Sequence, residues 1–239
     1  MERLQKVIAQ SNICSRRKAE KLILEKRVTV NGIICDQLGT NVSKKDIIKV
    51  DDNTITRASY VYYLLNKPTG VIANAEDSKN RRTIIDFLEP EDQENRIYPV
   101  GRLDFDTAGL LILTNDGELT KKLTHPSSQI EKQYIVRVEG IVIKDKIRTI
   151  RKGIIIDKNH FVIPKEVQLL EIDKTTKTSL IRIIIRETTN KQVRKMMEKM
   201  GHKVINLTRD RYAFLNLDGV KRGTYRKLKV HEVKKLMSL

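Results

Sequence analysis

From Tyr60 onward, strand-like and helix-like runs follow one another without a regular βαβ rhythm, and this irregularity limits the folds open to the chain. "YVYYLLN", "GLLILT", "QYIVRVEG", "VQLLEID", "TSLIRIIIRE", "KVINLTR" and "YAFLNL" are rich in β-branched, aromatic and other apolar residues and predict strands. "DGELTKKLTH", "IKDKIRTIRKG", "NKQVRKMMEKMG" and "VHEVKKLMSL" carry apolar residues at helical spacing and predict helices. Interleaving of this kind predicts an α+β domain built on a mostly antiparallel mixed β-sheet flanked by helices. "AEDSKNRR" and "EPEDQEN" read as solvated loops between these runs.

The first 58 residues form a different pattern. In "ERLQKVIAQ", Leu4, Val7 and Ile8 share a helix face, and in "SRRKAEKLILEKR" so do Ala19, Leu22 and Ile23, with Ser15 placed to cap. "RVTVNGIICD" then holds two β-rich runs around Asn31-Gly32, the signature of a type I′ hairpin whose two turn positions both need φ > 0. "DIIKVDD" adds a short strand. Two helices and a hairpin therefore predict a small N-terminal domain over residues 1–58, leaving 59–239 to a larger one. Arg16, Arg17, Lys18 and Lys21 fall in the first turns of the second helix, where cations oppose the helix dipole. Either this is an ordinary solvated face or the charges serve an external anion.

Charge points to the same kind of partner. The 239 residues carry 47 Lys+Arg against 30 Asp+Glu, a formal net charge of +17. From Arg182 to Lys235 there are 16 Lys+Arg and five Asp+Glu. Such an excess suits a polyanion, nucleic acid being the commonest. No apolar run is long enough for a bilayer, and the amphipathic N-terminus lacks the apolar centre of a signal peptide. Cys14 and Cys35 have neither a disulfide framework nor a His or Cys at metal-ligand spacing, so a reducing cytoplasm is the expected compartment.

One segment stands out against the basic background: "PVGRLDFDTAGLLILTNDGEL", Pro99 to Leu119, with Asp104 and Asp106 between glycines. If Arg102 to Asp106 is extended, Leu103 and Phe105 anchor the segment in the core while Arg102, Asp104 and Asp106 are presented together. The acids then belong to a salt-bridged loop, a weak two-carboxylate metal site, or a catalytic constellation. Neither a further acid cluster nor a histidine accompanies them, which weighs against a metal.

This segment resembles the core motif of the bacterial pseudouridine synthases of the RsuA/RluB type. "LLNKPTGV", "RRTIIDFL", "LTHPSSQIEKQYIVRVEG", "NKQVRKMMEKMGHKV" and "LTRDRYAFLNLDGVKRGTYRKL" resemble that family in the same order. Residues Glu2 to Asp52 resemble the S4 RNA-binding domain, a small αL-type unit with a basic helix and hairpin. Together the resemblances cover essentially the whole chain and imply the pseudouridine synthase fold.

The resemblance implies that Asp104 is the catalytic aspartate of a reaction that detaches uracil from ribose C1′, rotates it and reattaches it through C5. It implies that Tyr134, in "IEKQY", packs on a base flipped from the RNA, and that Arg194, in "NKQVR", pairs with Asp104; Asp106 is then structural. Arg102, Lys67, Lys132 and Lys191 are the implied substrate contacts, and Arg16, Arg17, Lys18 and Lys21 the implied RNA contacts of the small domain. Two departures from the family pattern are visible: Lys191 replaces an arginine, keeping the charge but losing the planar fork, and "RETT" replaces a glycine-containing run. His125, in "LTHPS", matches a family position and is expected to hold the turn with Pro126; His160, His202 and His231 are expected on the surface or in helices. No cofactor or metal is expected. The expected partner is ribosomal RNA, 23S favoured and 16S possible, acted on by a monomer. The competing expectations are a non-catalytic RNA-binding or ribosome-assembly protein of the same fold, and a metal-dependent nuclease using Asp104 and Asp106.

Overall fold

The computed structural model describes residues 1–157, 160–186 and 189–239, so part of the "RETT" departure, residues 187 and 188, lies outside the described residues. The chain divides into two compact units, one of residues 1–61 with 89–97 and one of residues 62–88 with 98–239.

In the first unit, helices Leu4–Gln10 and Arg16–Leu24 pack their apolar faces together, and the Ser15 side chain accepts from the Lys18 amide at 3.1 Å to cap the second. Strand Val28–Val30 pairs on one side with Ile33–Ile34 through the Asn31-Gly32 turn and on the other with Ile48–Val50. Asn31 and Gly32 have φ of +52° and +82°, as a type I′ turn requires. Leu4, Ile8, Ala19, Ile23 and Val28 are fully buried in the resulting core. Arg16, Arg17, Lys18 and Lys21 are exposed. "EPEDQEN" is not wholly loop: Pro90–Gln93 forms one helical turn, with Pro90 at its first position, where its fixed φ suits a helix start and no amide is missed.

The second unit is built on one mixed sheet. Its strands run in the order Glu166–Asp173, Thr178–Ile185, Lys132–Glu139, Val204–Tyr212, Ala108–Thr114, Tyr62–Lys67, Tyr225–Lys227. All pairings are antiparallel except one: Val204–Tyr212 runs parallel to Ala108–Thr114, with Thr208 opposite Ala108 and Arg209 opposite Gly109. Helices Gly117–Thr124, Lys144–Lys152, Gln192–Lys199 and Val230–Ser238 accompany the sheet. Asp116 caps the first of these, accepting from the amides of Glu118 and Leu119, and also accepts from the Tyr62 hydroxyl. The methionine stripe of the third is buried as its spacing predicts, Val193, Met196, Met197 and Met200 all lying inside.

Two expectations need correction, and one strand pair was not expected. "YAFLNL" is not one strand: Tyr212 ends the strand Val204–Tyr212, Ala213 at φ +52° turns the chain, and Leu215–Asn216 pairs back on it. The antiparallel pair of short strands Ile154–Asp157 and His160–Val162 is absent from the runs expected as strand. His202 is not a surface residue: it is 6% exposed, its Nδ1 donates to the Glu139 carbonyl at 2.8 Å, and its Nε2 faces Lys146 Nζ at 3.2 Å.

Candidate active site

The "GRLDFD" segment is a turn, not an extended strand. The Thr107 amide donates back to the Asp104 carbonyl at 3.0 Å, which closes a four-residue turn and leaves Phe105 at its tip, 48% exposed. Leu103 alone anchors the segment in the core. Reversing the chain here separates the two acids. Asp104 is half-buried and lines a cavity of about 360 Å³. Asp106 is outside that lining and accepts from Arg194, whose Nη2 lies 3.0 Å from both Asp106 Oδ2 and the Asp106 carbonyl.

Arg194 therefore does not reach Asp104, the partner expected for it. It holds the far side of the turn. The geometric reason lies in the turn itself: with the Asp104 carbonyl committed to the Thr107 amide, the segment bends so that Asp106 meets the helix Gln192–Lys199.

Lys67, expected at the substrate, is instead fully buried and fastens the same turn from within. Its Nζ donates to the carbonyls of Pro68 at 2.9 Å, Asp104 at 3.2 Å and Thr107 at 2.8 Å. Burial pushes this ammonium down to about 8; Asp106 and Asp104 act in the opposite sense and Arg209 adds to the lowering.

The sheet register supplies the opposite wall. Tyr134 pairs with Ile183 on one side and Arg209 on the other, and Arg209 in turn pairs with Gly109, so Tyr134, Arg209 and Gly109 stand in line across three strands. The alignment depends on a bulge: Gln133 pairs with Arg211 and Tyr134 with Arg209, leaving Asp210 as the extra residue. Tyr134 is 4% exposed and lines the cavity; its hydroxyl has no hydrogen-bond partner among the described residues. Lys132 and Tyr212 lie on the same wall. Lys132 Nζ donates to the carbonyls of Ile130 and Arg186, both at 3.0 Å, and stands 5.6 Å over the Tyr212 ring. Burial, reinforced by Arg209, lowers Lys132 to about 8, and burial raises Tyr212 to about 12.

Around the mouth stand the exposed Arg102, Arg186 and Lys191, together with His125. His125 Nδ1 accepts from the Ser127 amide at 3.3 Å and so caps the turn Pro126–Ser128, the role expected for it. The structure thus brings Asp104, Tyr134, Arg102, Lys132 and Lys191 to one cavity, sets Lys67 and Arg194 behind the Asp104 turn, and leaves Arg16, Arg17, Lys18 and Lys21 in the first unit. A pre-formed cavity with one carboxylate, two tyrosines and a cationic mouth fits a flat, polar ring carried on a phosphate chain. Among the described residues no group of three His, Cys, Asp or Glu is arranged to hold a metal ion.

The family model described as RNA pseudouridylate synthase matches residues 61–199, and that of the S4 domain matches residues 2–48. The chain belongs to the RNA pseudouridylate synthase family. A ribosomal large subunit pseudouridine synthase B of Bacillus subtilis is 48% identical to this synthase over 239 residues, covering 100% of this chain and 97% of the relative. An uncharacterized RNA pseudouridine synthase of Aquifex aeolicus is 35% identical, covering 98% and 93%. The crystal structure of a pseudouridylate synthase superposes with a TM-score of 0.68 at 29% identity, covering 99% of this chain and 100% of that one. The α+β fold, the small S4 domain and the pseudouridine synthase activity expected from the motifs are those of this family.

Among the cavity residues of the synthase that sequence reasoning passed over are Arg186, Arg209 and Tyr212. A signal was present: in "INLTRDRYAF", the run predicted as strand carries an arginine two positions beyond Leu207, on the inward-facing side.

Proposed function

We propose that the protein isomerises a specific uridine of large-subunit ribosomal RNA to pseudouridine, with Asp104 as the essential acid. Full-length similarity to a synthase named for the large ribosomal subunit supports the substrate class. The observation that carries the site assignment is the turn that points Asp104 into the cavity while Asp106 is drawn off by Arg194.

In this reading the target uridine leaves its stack and enters the cavity, where Tyr134 packs on the base and its hydroxyl is free to take part in proton movement. Asp104 acts at the sugar–base linkage, as nucleophile or in proton transfer. Lys67 and Arg194 are positioning residues: three carbonyl contacts from Lys67, and one Arg194 nitrogen shared between the Asp106 carbonyl and carboxylate, fix the turn, so the Asp104 carboxylate is held in place before the base arrives. Arg102 and Lys191 meet the RNA at the mouth, and Lys132 meets it from the cavity wall. Arg16, Arg17, Lys18 and Lys21 hold phosphates further along the same molecule, giving affinity without base choice.

The same reading takes residues 1–58 as the RNA-docking domain and 59–239 as the catalytic one, working as a monomer in the cytoplasm without a cofactor. No helix among the described residues is long and apolar enough to cross a membrane. A non-catalytic assembly protein would have no use for an acid aimed into a cavity and braced from two sides.

Site-resolved pseudouridine mapping of ribosomal RNA tests the proposal, with the gene intact, deleted, and restored as Asp104→Asn. One uridine in large-subunit RNA should lose its modification on deletion and fail to regain it with the variant. Unchanged ribosomal RNA would overturn the substrate, and rescue by the variant would overturn the role of Asp104.

A further inference from the structure

The charge of the cavity is unbalanced. Its lining has five Lys or Arg side chains and one carboxylate among the described residues. Three of the five, Arg102, Arg186 and Lys191, are exposed at the mouth, where water screens them. Arg209 is not screened. It is 2% exposed, and its guanidinium forms no ion pair among the described residues. Nε donates to the Leu110 carbonyl at 2.9 Å, while Nη2 is buried with no partner. The plane lies 5.2 Å over the Tyr212 ring, whose other cation is Lys132 at 5.6 Å. Two further ammonium groups, Lys67 and Lys132, feel its charge.

A buried, unpaired guanidinium is one of the most costly groups a core can contain, because arginine stays protonated and cannot relieve the cost by losing its charge. Its cost to the resting protein is explained if an anion appears beside it during turnover. The rearrangement supplies one. When the C1′–N1 bond breaks, its electron pair leaves with the base and spreads over N1, O2 and O4. After rotation C5 returns a pair to C1′, the C5 proton departs and N1 gains one, so the composition is unchanged. Between those steps the base carries a negative charge that neither uridine nor pseudouridine has.

We infer that Arg209 donates to a carbonyl oxygen of the detached uracil and stabilises its charge. This rests on the cavity being the uridine site proposed above. A neutral ring draws only an ordinary hydrogen bond from a guanidinium, whereas the anion draws a charge-assisted one, so the contact favours the reacting state over the bound state. A phosphate, charged before and after the reaction, would gain affinity from Arg209 and no rate, and the exposed cations at the mouth already suit it.

The test uses the full-length protein and an RNA fragment containing the mapped uridine. RNA dissociation constant, single-turnover rate at saturating enzyme and melting temperature are measured for the wild type, Arg209→Met and Arg209→Lys. Arg209→Met is expected to bind RNA within about threefold of wild type and melt no lower, while its rate at saturation falls on the order of 10²–10³-fold, as for loss of one transition-state donor. Arg209→Lys, which keeps the charge without the fork, should fall between them. A rate at saturation equal to wild type in either variant overturns the inference, and weakened binding with that rate intact assigns Arg209 to phosphate instead. Should Arg209→Met fail to fold, Arg209→Lys decides alone: at least a tenfold loss of rate with binding and melting kept supports the inference. Wild-type protein that forms no pseudouridine in the RNA overturns the functional reading and this inference with it, whereas active wild type beside an equally active variant removes this inference only.

Discussion

Gly109 lies directly against the main chain of Arg209. A β-carbon placed on Gly109 would stand 2.7 Å from the Arg209 nitrogen and 2.8 Å from its carbonyl carbon, and closer still to its oxygen, while Gly109 holds φ at +113°. Both the space and the backbone conformation thus demand glycine at the one parallel junction of the sheet.

Gly109→Ala should therefore be severe. Neither backbone can yield without breaking the junction, so a loss of about 3–5 kcal/mol is expected, at the upper end for single substitutions. Gly70→Ala is the control: Gly70 has φ +77° but open space around it, and about 1 kcal/mol is expected from the left-handed backbone alone. Denaturant midpoints of the two variants check the contrast; equal costs would mean that the close approach is unimportant.

The two acids of the turn should separate in kinetics. Asp104→Asn is expected to keep RNA binding and lose all isomerisation. Asp106→Asn leaves the carbonyl contact to Arg194 but removes the ion pair, so a loss of about tenfold in rate is expected, with the reaction still measurable. Full loss in Asp106→Asn would place the essential acid at the wrong residue.

Alkaline pH should weaken activity before it weakens the fold. Lys67 titrates at about 8 in the folded protein, below its ordinary 10.5. Between those values the unfolded chain binds more protons, so the contribution of Lys67 to stability rises as pH goes from about 8 to 10.5 and falls as pH drops through 8. Neutral Lys67, however, has only two N–H donors for three carbonyls, and the Asp104 turn loses a fastening. The single-turnover rate should decline above about pH 8 while the melting temperature does not fall with it. Lys132, also near 8, contributes to the same limb, and Lys132→Met should reduce its steepness. A rate that is flat from pH 7 to 10 would contradict this account.

Replacing Arg16, Arg17, Lys18 and Lys21 together by Ala should leave melting almost unchanged, because all four are exposed. RNA affinity should drop, and the slope of log K against log salt should become shallower by about 3, on the basis of roughly 0.7–0.9 per phosphate contact. Binding measured from 50 to 300 mM salt reads both quantities; an unaltered slope would remove these residues from the RNA contact.

Much of this arrangement was legible where chemistry is local. Asn31-Gly32 specified its turn, Ser15 its cap, and the spacing of Val193, Met196, Met197 and Met200 its buried stripe, because each depends on neighbours a few positions away. The Asp104 turn was misread because alternation alone made Phe105 an anchor; the competing demand, an acceptor for the Thr107 amide, has no signature in the sequence. Lys67 was expected at the substrate and its place behind the turn was not legible, because its three acceptors are carbonyls, which any residue supplies. Arg209 went unnoticed because its position depends on a bulge at Asp210 and on a glycine 100 positions away, neither of which a periodic pattern records.

That distance has a meaning in time. The parallel junction joins Ala108 to Thr208 and Gly109 to Arg209, so about 100 residues must be made between its two halves. At roughly 5–20 residues per second, the Asp104 turn leaves the ribosome some 5–20 s ahead of Arg209. Throughout that interval the nascent chain has its acid but no strand on which to complete the wall around it. A chain stopped within that interval should therefore show no activity toward RNA, because the strand that completes the wall has yet to be made.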